Sequence, residues 1–411
     1  MTNQNNNVLD ENSTRTSGST ALNSNISAAI AVSEIVKTTL GPMGMDKMLI
    51  DSYGNSVITN DGVKILQEMD IEHPGAKLLV GVAKTQESEV GDGTTSAVIL
   101  SGELLASARE LVNKKIHPTA ITRTFKTGLD KAMSVLESES VTINPKNKKL
   151  IMDICSTAMT GKIAEFSKEK LSEMIFDAIE KVVKNEKISS NKIKIQKSVG
   201  GDISDSYLVD GIVLDKNPAN VNMPEKILDA KVLVCDFPLE VRELDNDAKL
   251  NIGSVTEYEK FLENEQNYLL SIVNRICEIG TNVVICQKGV DDNVAYHLAK
   301  QGILAIRRTR KSDIERLNLV TGKKVVNNLE DIEISNLGNV KSVRVEKILK
   351  ENYIFMEGFD NEACVTLFLK GSTDHVLDEL ERAIDDSIGD VNSVLKLSLI
   401  HISEPTRRTP I

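Results

Sequence analysis

Gly91-Asp92-Gly93-Thr94-Thr95-Ser96 constrains this chain more than any other stretch, because it breaks the chain between two segments of helical periodicity. Before it, Leu78, Leu79, Val82 and Ala83 recur at helical spacing within Gly75 to Val90. After it, Val98, Leu104, Leu105, Ala108 and Leu111 do the same within Thr94 to Val112. The hexapeptide therefore sits in front of a helix N-terminus. The amides of Gly93, Thr94 and Thr95 and the positive end of the helix dipole favour an anion there, and glycine lets it approach the backbone. Asp92 stands beside that cradle as a hard oxygen ligand for a phosphate-bound Mg²⁺. The same residues also serve a plain capped turn, with Asp92 and Thr94 as caps. No Gly-Lys-Ser/Thr follows, so this is not a Walker A loop.

The segments around the break have their own punctuation. Residues 1 to about 20, rich in Asn, Ser and Thr, read as a mobile tail. From Ser24 an apolar face of Ile26, Ala29, Ile30, Val36 and Leu40 predicts a helix that ends at Leu40-Gly41-Pro42. Met48 to Ile50 and Ser56 to Thr59 are short strand-like runs around a turn at Gly54-Asn55, and Asn60-Asp61-Gly62 follows directly. That tripeptide either caps a helix or hairpin or aims Asp61 as a general base.

Four motifs in order, Leu-Gly-Pro-x-Gly-x-Asp-Lys-Met (40 to 48), Thr-Asn-Asp-Gly (59 to 62), Met-Asp-Ile-Glu-His-Pro (69 to 74) and Gly-Asp-Gly-Thr-Thr (91 to 95), resemble the group II chaperonins. The resemblance is to archaeal thermosome subunits and, more distantly, to the eukaryotic cytosolic chaperonin subunits. It extends from about Asn23 to Lys396. It implies a multidomain chaperonin fold: a mostly α-helical equatorial ATPase domain at 1–146, an α/β intermediate domain at 147–216 and again at 371–396, and an α/β apical substrate-binding domain at 217–370 with a helical lid protrusion. A polar connection from Val141 to Lys149 suits the first boundary.

Further residues take roles by the same resemblance. Leu40, Gly41 and Pro42 join Gly91, Asp92, Gly93, Thr94, Thr95 and Ser96 as nucleotide-binding residues, with Asp92 holding Mg²⁺. Lys162, in the turn Thr160-Gly161-Lys162 between helical segments, resembles a lysine that reaches the γ-phosphate; by itself it is a surface charge. Glu381-Arg382-Ala383-Ile384-Asp385-Asp386 resembles the segment that brings the second catalytic aspartate. Alignment on Glu-Arg-Ala places that aspartate at Asp386, with Asp385 as the alternative one residue off. The two point about 100° apart on a helix, so only one faces the site. Lys64 and Lys370 stand where the family often has Thr and Arg, which leaves the motif carboxylates intact.

From Ala230 onward the pattern is α/β. Val232 to Cys235, Asn282 to Cys286 and Ile303 to Ile306 read as short buried strands, parallel by expectation, alternating with helices at about 255–278 and 291–300 and followed by one at 312–320. No dinucleotide turn follows any strand. The long charged excursion from Pro238 to Ser254 occupies the place of the family's built-in lid. The Arg307 to Lys311 cluster reads as a solvated or salt-bridged face in a chain of net charge −11. That charge argues against a nucleic-acid partner, and no apolar run reaches membrane-span length. The five scattered cysteines and five histidines suggest neither a disulfide framework nor a zinc site.

The expected protein is thus a cytoplasmic ATP-dependent chaperone subunit with ATP and Mg²⁺ as cofactors. Its expected partners are non-native polypeptides and fellow subunits of a homo- or hetero-oligomeric double ring. The alternatives are an ATP-independent holdase and, further off, a small-molecule kinase. Residues 397–411 resemble the translation of a transposase-type sequencing adapter and are set aside from fold reasoning. On that expectation the chain is C-terminally truncated at Lys396, and the helices of its N-terminal half keep exposed apolar faces.

Overall fold

The computed structural model describes residues 16–41, 44–50, 54, 56–140, 147–182, 192–241, 255–360 and 364–397. Pro42, most of the tail expected at 1–20, the lid excursion beyond Val241 and the chain beyond Leu397 lie outside the described residues, as does most of the connection expected at 141–149. The described chain divides into two compact units, one of residues up to Ser172 together with Asp378 onward, the other of Glu173–Leu377.

The first unit is mostly helical. Helix α1 (Gly18–Lys37) starts six residues before Ser24, so the tail expected to reach about residue 20 is already helical from Gly18. It also stops before Leu40, because Thr39 and Leu40 turn back to Val36 and Lys37 through tighter backbone bonds. Strands β1 (Lys47–Ile50) and β2 (Ser56–Thr59) form the expected antiparallel hairpin, which leads into α2 (Gly62–Glu68). Helix α3 (Pro74–Glu89) opens with proline at its first position, and the His73 ring accepts the Gly75 N–H at 3.1 Å. Helices α4 (Thr94–Asn113), α5 (Pro118–Glu139) and α6 (Lys148–Met159) follow.

Helices α1 and α4 cross closely because Gly102 has no side chain: a Cβ there would meet Ser33 Oγ at 2.0 Å. Ala29, Val32, Val36, Ile65, Leu66, Leu79, Ala83 and Val98 form the core between them and α2 and α3. Leu78, Val82, Leu100 and Leu104 face outward, as do Leu129, Met133, Val135 and Leu136 of α5. Only part of the apolar periodicity of α3 and α4 therefore points into this core.

In the second unit, β3 (Ile193–Val199), β4 (Tyr207–Val209), β5 (Gly211–Asp215) and β6 (Lys226–Cys235) come first. Helix α7 (Lys168–Val182) precedes them in the chain and α8 (Val255–Glu278) follows them. Next come β7 (Val283–Cys286), α9 (Asp292–Lys300), β8 (Leu304–Ile306) and α10 (Lys311–Thr321). Strands β9 (Gly338–Ile348), β10 (Glu351–Phe359) and β11 (Val365–Gly371) complete it, and α11 (Asp374–Leu397) follows. One sheet has the order β5-β10-β9-β6-β7-β8, the other β3-β11-β4. The parallel pairing expected for β6, β7 and β8 is present, with Val232 opposite Val283 and Val284 opposite Ala305. The antiparallel half, β5-β10-β9, has no counterpart in the sequence reading. Phe368 of β11 stacks with Tyr207 at 5.1 Å between ring centroids and meets Tyr353 of β10 edge-on at the same distance.

The second unit also buries an ion pair. Lys194 of β3 donates to Asp313 of α10 at 2.6 Å, with 7% of each side chain exposed, and Arg316 reaches the same oxygen at 3.4 Å. Burial pushes the Lys194 ammonium below its ordinary range, and Asp313 opposes that fall. Removing one partner of such a pair strands the other charge in the interior. Asp313→Ala is expected to cost about 3–5 kcal/mol, and the double variant Lys194→Met/Asp313→Leu to recover most of it; urea unfolding of the full chain measures both.

Candidate phosphate-binding and hydrolytic site

Three helix termini and one helix face build the site, all within the first unit. Asp61 ends the hairpin and caps α2: its carboxylate oxygens accept the Val63 N–H at 3.1 Å and the Lys64 N–H at 3.2 Å. The side chain is therefore fixed in orientation, and each oxygen retains lone-pair capacity. The start of α2 lies directly on the start of α4, since a Cβ on Gly62 would meet Thr95 Oγ1 at 2.5 Å. The first turn of α4 thus abuts the loop that holds Asp61.

The turn before α4 is held on two sides. Gly91 and Gly93 take φ of +87° and +76°, the left-handed region open to glycine. Gln86 of α3 donates to the Asp92 carbonyl at 2.8 Å. Gly93 occupies the N-cap and brings no side chain to cap α4, while Thr94 and Thr95 are buried behind it. On the other side, a Cβ on Gly91 would stand 3.0 Å from Gly389 Cα, and Ser393 of α11 donates to the Val90 carbonyl at 2.9 Å.

One stripe of α11 makes these contacts. Glu379, Arg382, Asp386, Gly389 and Ser393 recur at alternating spacings of about 3 and 4 residues, which places them on one helix face. Asp386 forms an ion pair with Lys162, whose side chain is 19% exposed. Burial pushes the Asp386 carboxyl above the ordinary carboxylate range; Lys162 opposes this, and the negative charges of Asp61 and Asp92 add to it. Those influences identify Asp61, Asp92, Asp386 and Lys162 as one electrostatic cluster. Asp385, the alternative to Asp386, is exposed.

Leu40 and Gly41 are not among the residues these bonds and charges join. Their turn is closed by Gly44 N–H to the Gly41 carbonyl at 2.9 Å and Met45 N–H to the Thr38 carbonyl at 3.2 Å. Gly41 takes φ of +97°. The structure also adds residues that the sequence reading did not select. Glu87, in the last turn of α3, is raised above its ordinary range by burial and by the charges of Asp61 and Asp386. Thr59, Glu379 and Arg382 form a second group against the Asp61 loop. Thr59 lies inside the Thr-Asn-Asp-Gly motif and Arg382 inside Glu-Arg-Ala, so motif membership was the available signal.

Chemically, the arrangement offers a helix N-terminus of small residues for an anion, three converging carboxylates and one lysine. Among the described residues no three carboxylate, imidazole or thiol side chains gather closely enough to form a metal cage of their own. Hard carboxylates beside a phosphate cradle are the donor set that suits Mg²⁺ when phosphate oxygens complete its shell.

The TCP-1/cpn60 chaperonin family model matches residues 32–400. Thermosome subunit alpha of Archaeoglobus fulgidus is 44% identical over 393 residues, covering 95% of this chain and 72% of that protein. A thermosome subunit of Methanopyrus kandleri gives the same identity and coverages. Thermosome subunit 1 of Haloferax volcanii is 45% identical over 389 residues, 95% of this chain and 70% of its own length. With a family model spanning most of its length and relatives of this similarity, the chain belongs to the TCP-1/cpn60 chaperonin family, on its group II branch.

Proposed function

We propose that this chaperonin subunit binds ATP at the N-terminus of α4 and couples its hydrolysis to the folding of non-native polypeptides within a double ring. The observation that carries the reading is the convergence of Asp61, Asp92 and Asp386 with Lys162 beside a helix start that has no capping side chain. The backbone of Gly91 to Ser96 is read as the phosphate cradle, and Leu40, Gly41 and Pro42 as further nucleotide-binding residues. Asp92 is the carboxylate to hold Mg²⁺, which when bound neutralises phosphate charge.

The remaining roles belong to the chain's own groups. Asp61, locked by the two α2 amides, orients the attacking water, and Asp386 accepts its proton. For that, Asp386 must be ionised, which burial opposes and Lys162 favours. Lys162 lies in the turn between α6 and the short 3₁₀ segment Ile163–Ser167, so a move of its ammonium toward phosphate is felt by the segment that follows. Residues 1–146 are read as the equatorial domain, 147–216 and 371–396 as the intermediate domain, and 217–370 as the apical domain that receives the substrate. Family membership favours this reading over the ATP-independent holdase and the kinase.

Asp61→Ala and Asp386→Ala are each expected to abolish ATP hydrolysis while ATP binding persists, measured by phosphate release and by equilibrium binding. Normal turnover in either variant overturns the assignment. The pH dependence follows from the sign of the Asp386 shift. Its raised value puts the acid limb of kcat above the pH of an ordinary aspartate, and activity falls as pH drops through it. Lys162→Met removes the charge that holds the value down, so the acid limb is expected to move to higher pH; a limb that stays in place or moves lower excludes Asp386 as the base.

A further inference from the structure

Thr59 is 1% exposed. Its Oγ1 accepts the Asp61 N–H at 3.1 Å and an Arg382 N–H at 3.2 Å. The Glu379 carboxylate feels the same hydroxyl, which pulls its pKa down. Arg382 is also ion-paired with Glu379, whose side chain is 16% exposed. Burial raises the Glu379 carboxyl, and Arg382 and the Thr59 hydroxyl pull it back down. The result is a cluster of hydroxyl, guanidinium and carboxylate that holds the Asp61 backbone amide.

The placement of this cluster matters. Glu379 and Arg382 lie on the same stripe of α11 as Asp386, about two turns and one turn before it respectively. Thr59 lies at the end of β2, paired with Lys47 across the hairpin, two residues before Asp61. A buried hydroxyl oxygen that accepts from two partners resists displacement, because moving toward one abandons the other. We propose that Thr59, fixed by the Glu379–Arg382 pair, is a positioning residue that sets the Asp61 loop in register with Asp386 on α11. The proposal rests on the nucleotide-hydrolysis reading for its consequence but not for its geometry. It assigns Thr59 a task separate from strand pairing: Thr59→Val keeps the shape and the backbone and removes only the hydroxyl.

Two measurements on the full chain test it. Steady-state ATP hydrolysis by Thr59→Val and by Arg382→Gln is expected to lose roughly 10–100-fold in kcat with KM little changed, the size usual for outer-shell partners. Thr59→Ser, which keeps the hydroxyl, is expected to recover most of that loss. Hydrogen exchange over residues 59–66 is expected to speed up in Thr59→Val and Arg382→Gln and to stay slow in Thr59→Ser. Unchanged kcat in a folded Thr59→Val, or exchange that does not respond to loss of the hydroxyl, overturns the proposal. Absence of hydrolysis by the unaltered chain overturns the nucleotide reading alone, and the exchange measurement then decides whether the cluster holds Asp61.

Discussion

A single stripe along α11 determines where the site can be. It docks on the Gly91 turn through the paired absence of side chains at Gly91 and Gly389 and through the bond from Ser393 to the Val90 carbonyl. A methyl group on either glycine meets backbone rather than a flexible side chain, so the approach has no soft neighbour to yield. Because the same stripe carries Asp386, the distance between that carboxylate and the Gly91 turn is set by backbone packing. Gly62 against Thr95 does the same for Asp61. Both carboxylates are thereby referred to one helix terminus.

Packing alone pushes the Asp386 carboxyl upward. Burial disfavours its charge, and the neighbouring carboxylates Asp61 and Asp92 disfavour it further. The Lys162 ion pair is what counters these effects, and it comes from a turn whose lysine has no sequence signal of its own. The outcome is a carboxylate held between two tendencies, responsive to small displacements of one ammonium group. On the proposed reading, a Lys162 that turned from Asp386 to a phosphate would change the basicity of Asp386.

Local segments of the fold were readable where their periodicity was strong. The parallel strands β6 to β8 are short apolar runs flanked by turns, and α3, α4 and α8 to α10 fall close to where spacing puts them. Strands β5, β9 and β10 were not recognised because their polar and apolar residues do not alternate cleanly: β10 buries Tyr353, Ile354, Phe355 and Met356 in succession. The site was legible as a set of motifs but not as a geometry. Asp61 and Asp386 could be named from their neighbours, and the choice of Asp386 over Asp385 agrees with which one is exposed. Thr59, Glu379 and Arg382 stayed hidden because a buried polar cluster spanning 323 residues of sequence leaves no periodic trace. Glu87 stayed hidden for a related reason, since what sets it apart from Glu89 of α3 is the influence of Asp61 and Asp386, which lie far from it in sequence.

The charge balance of the site bears on what it can accept. Asp61, Asp92, Asp386 and Glu87 influence one another, whereas Lys162 is the cation in direct contact with Asp386, and Lys64 and Lys84 act on Glu87 from further off. Glu379 and Arg382 cancel within their own pair. The centre is therefore electronegative, and a bare polyphosphate approaching the α4 terminus meets attraction from the helix dipole and repulsion from the carboxylates. A polyphosphate carrying a divalent cation reverses the second term, because the carboxylates become its ligands. On the proposed reading, the site's acidity would favour the metal-bound form of a polyphosphate, and the carboxylates concerned are held by glycine contacts and helix caps.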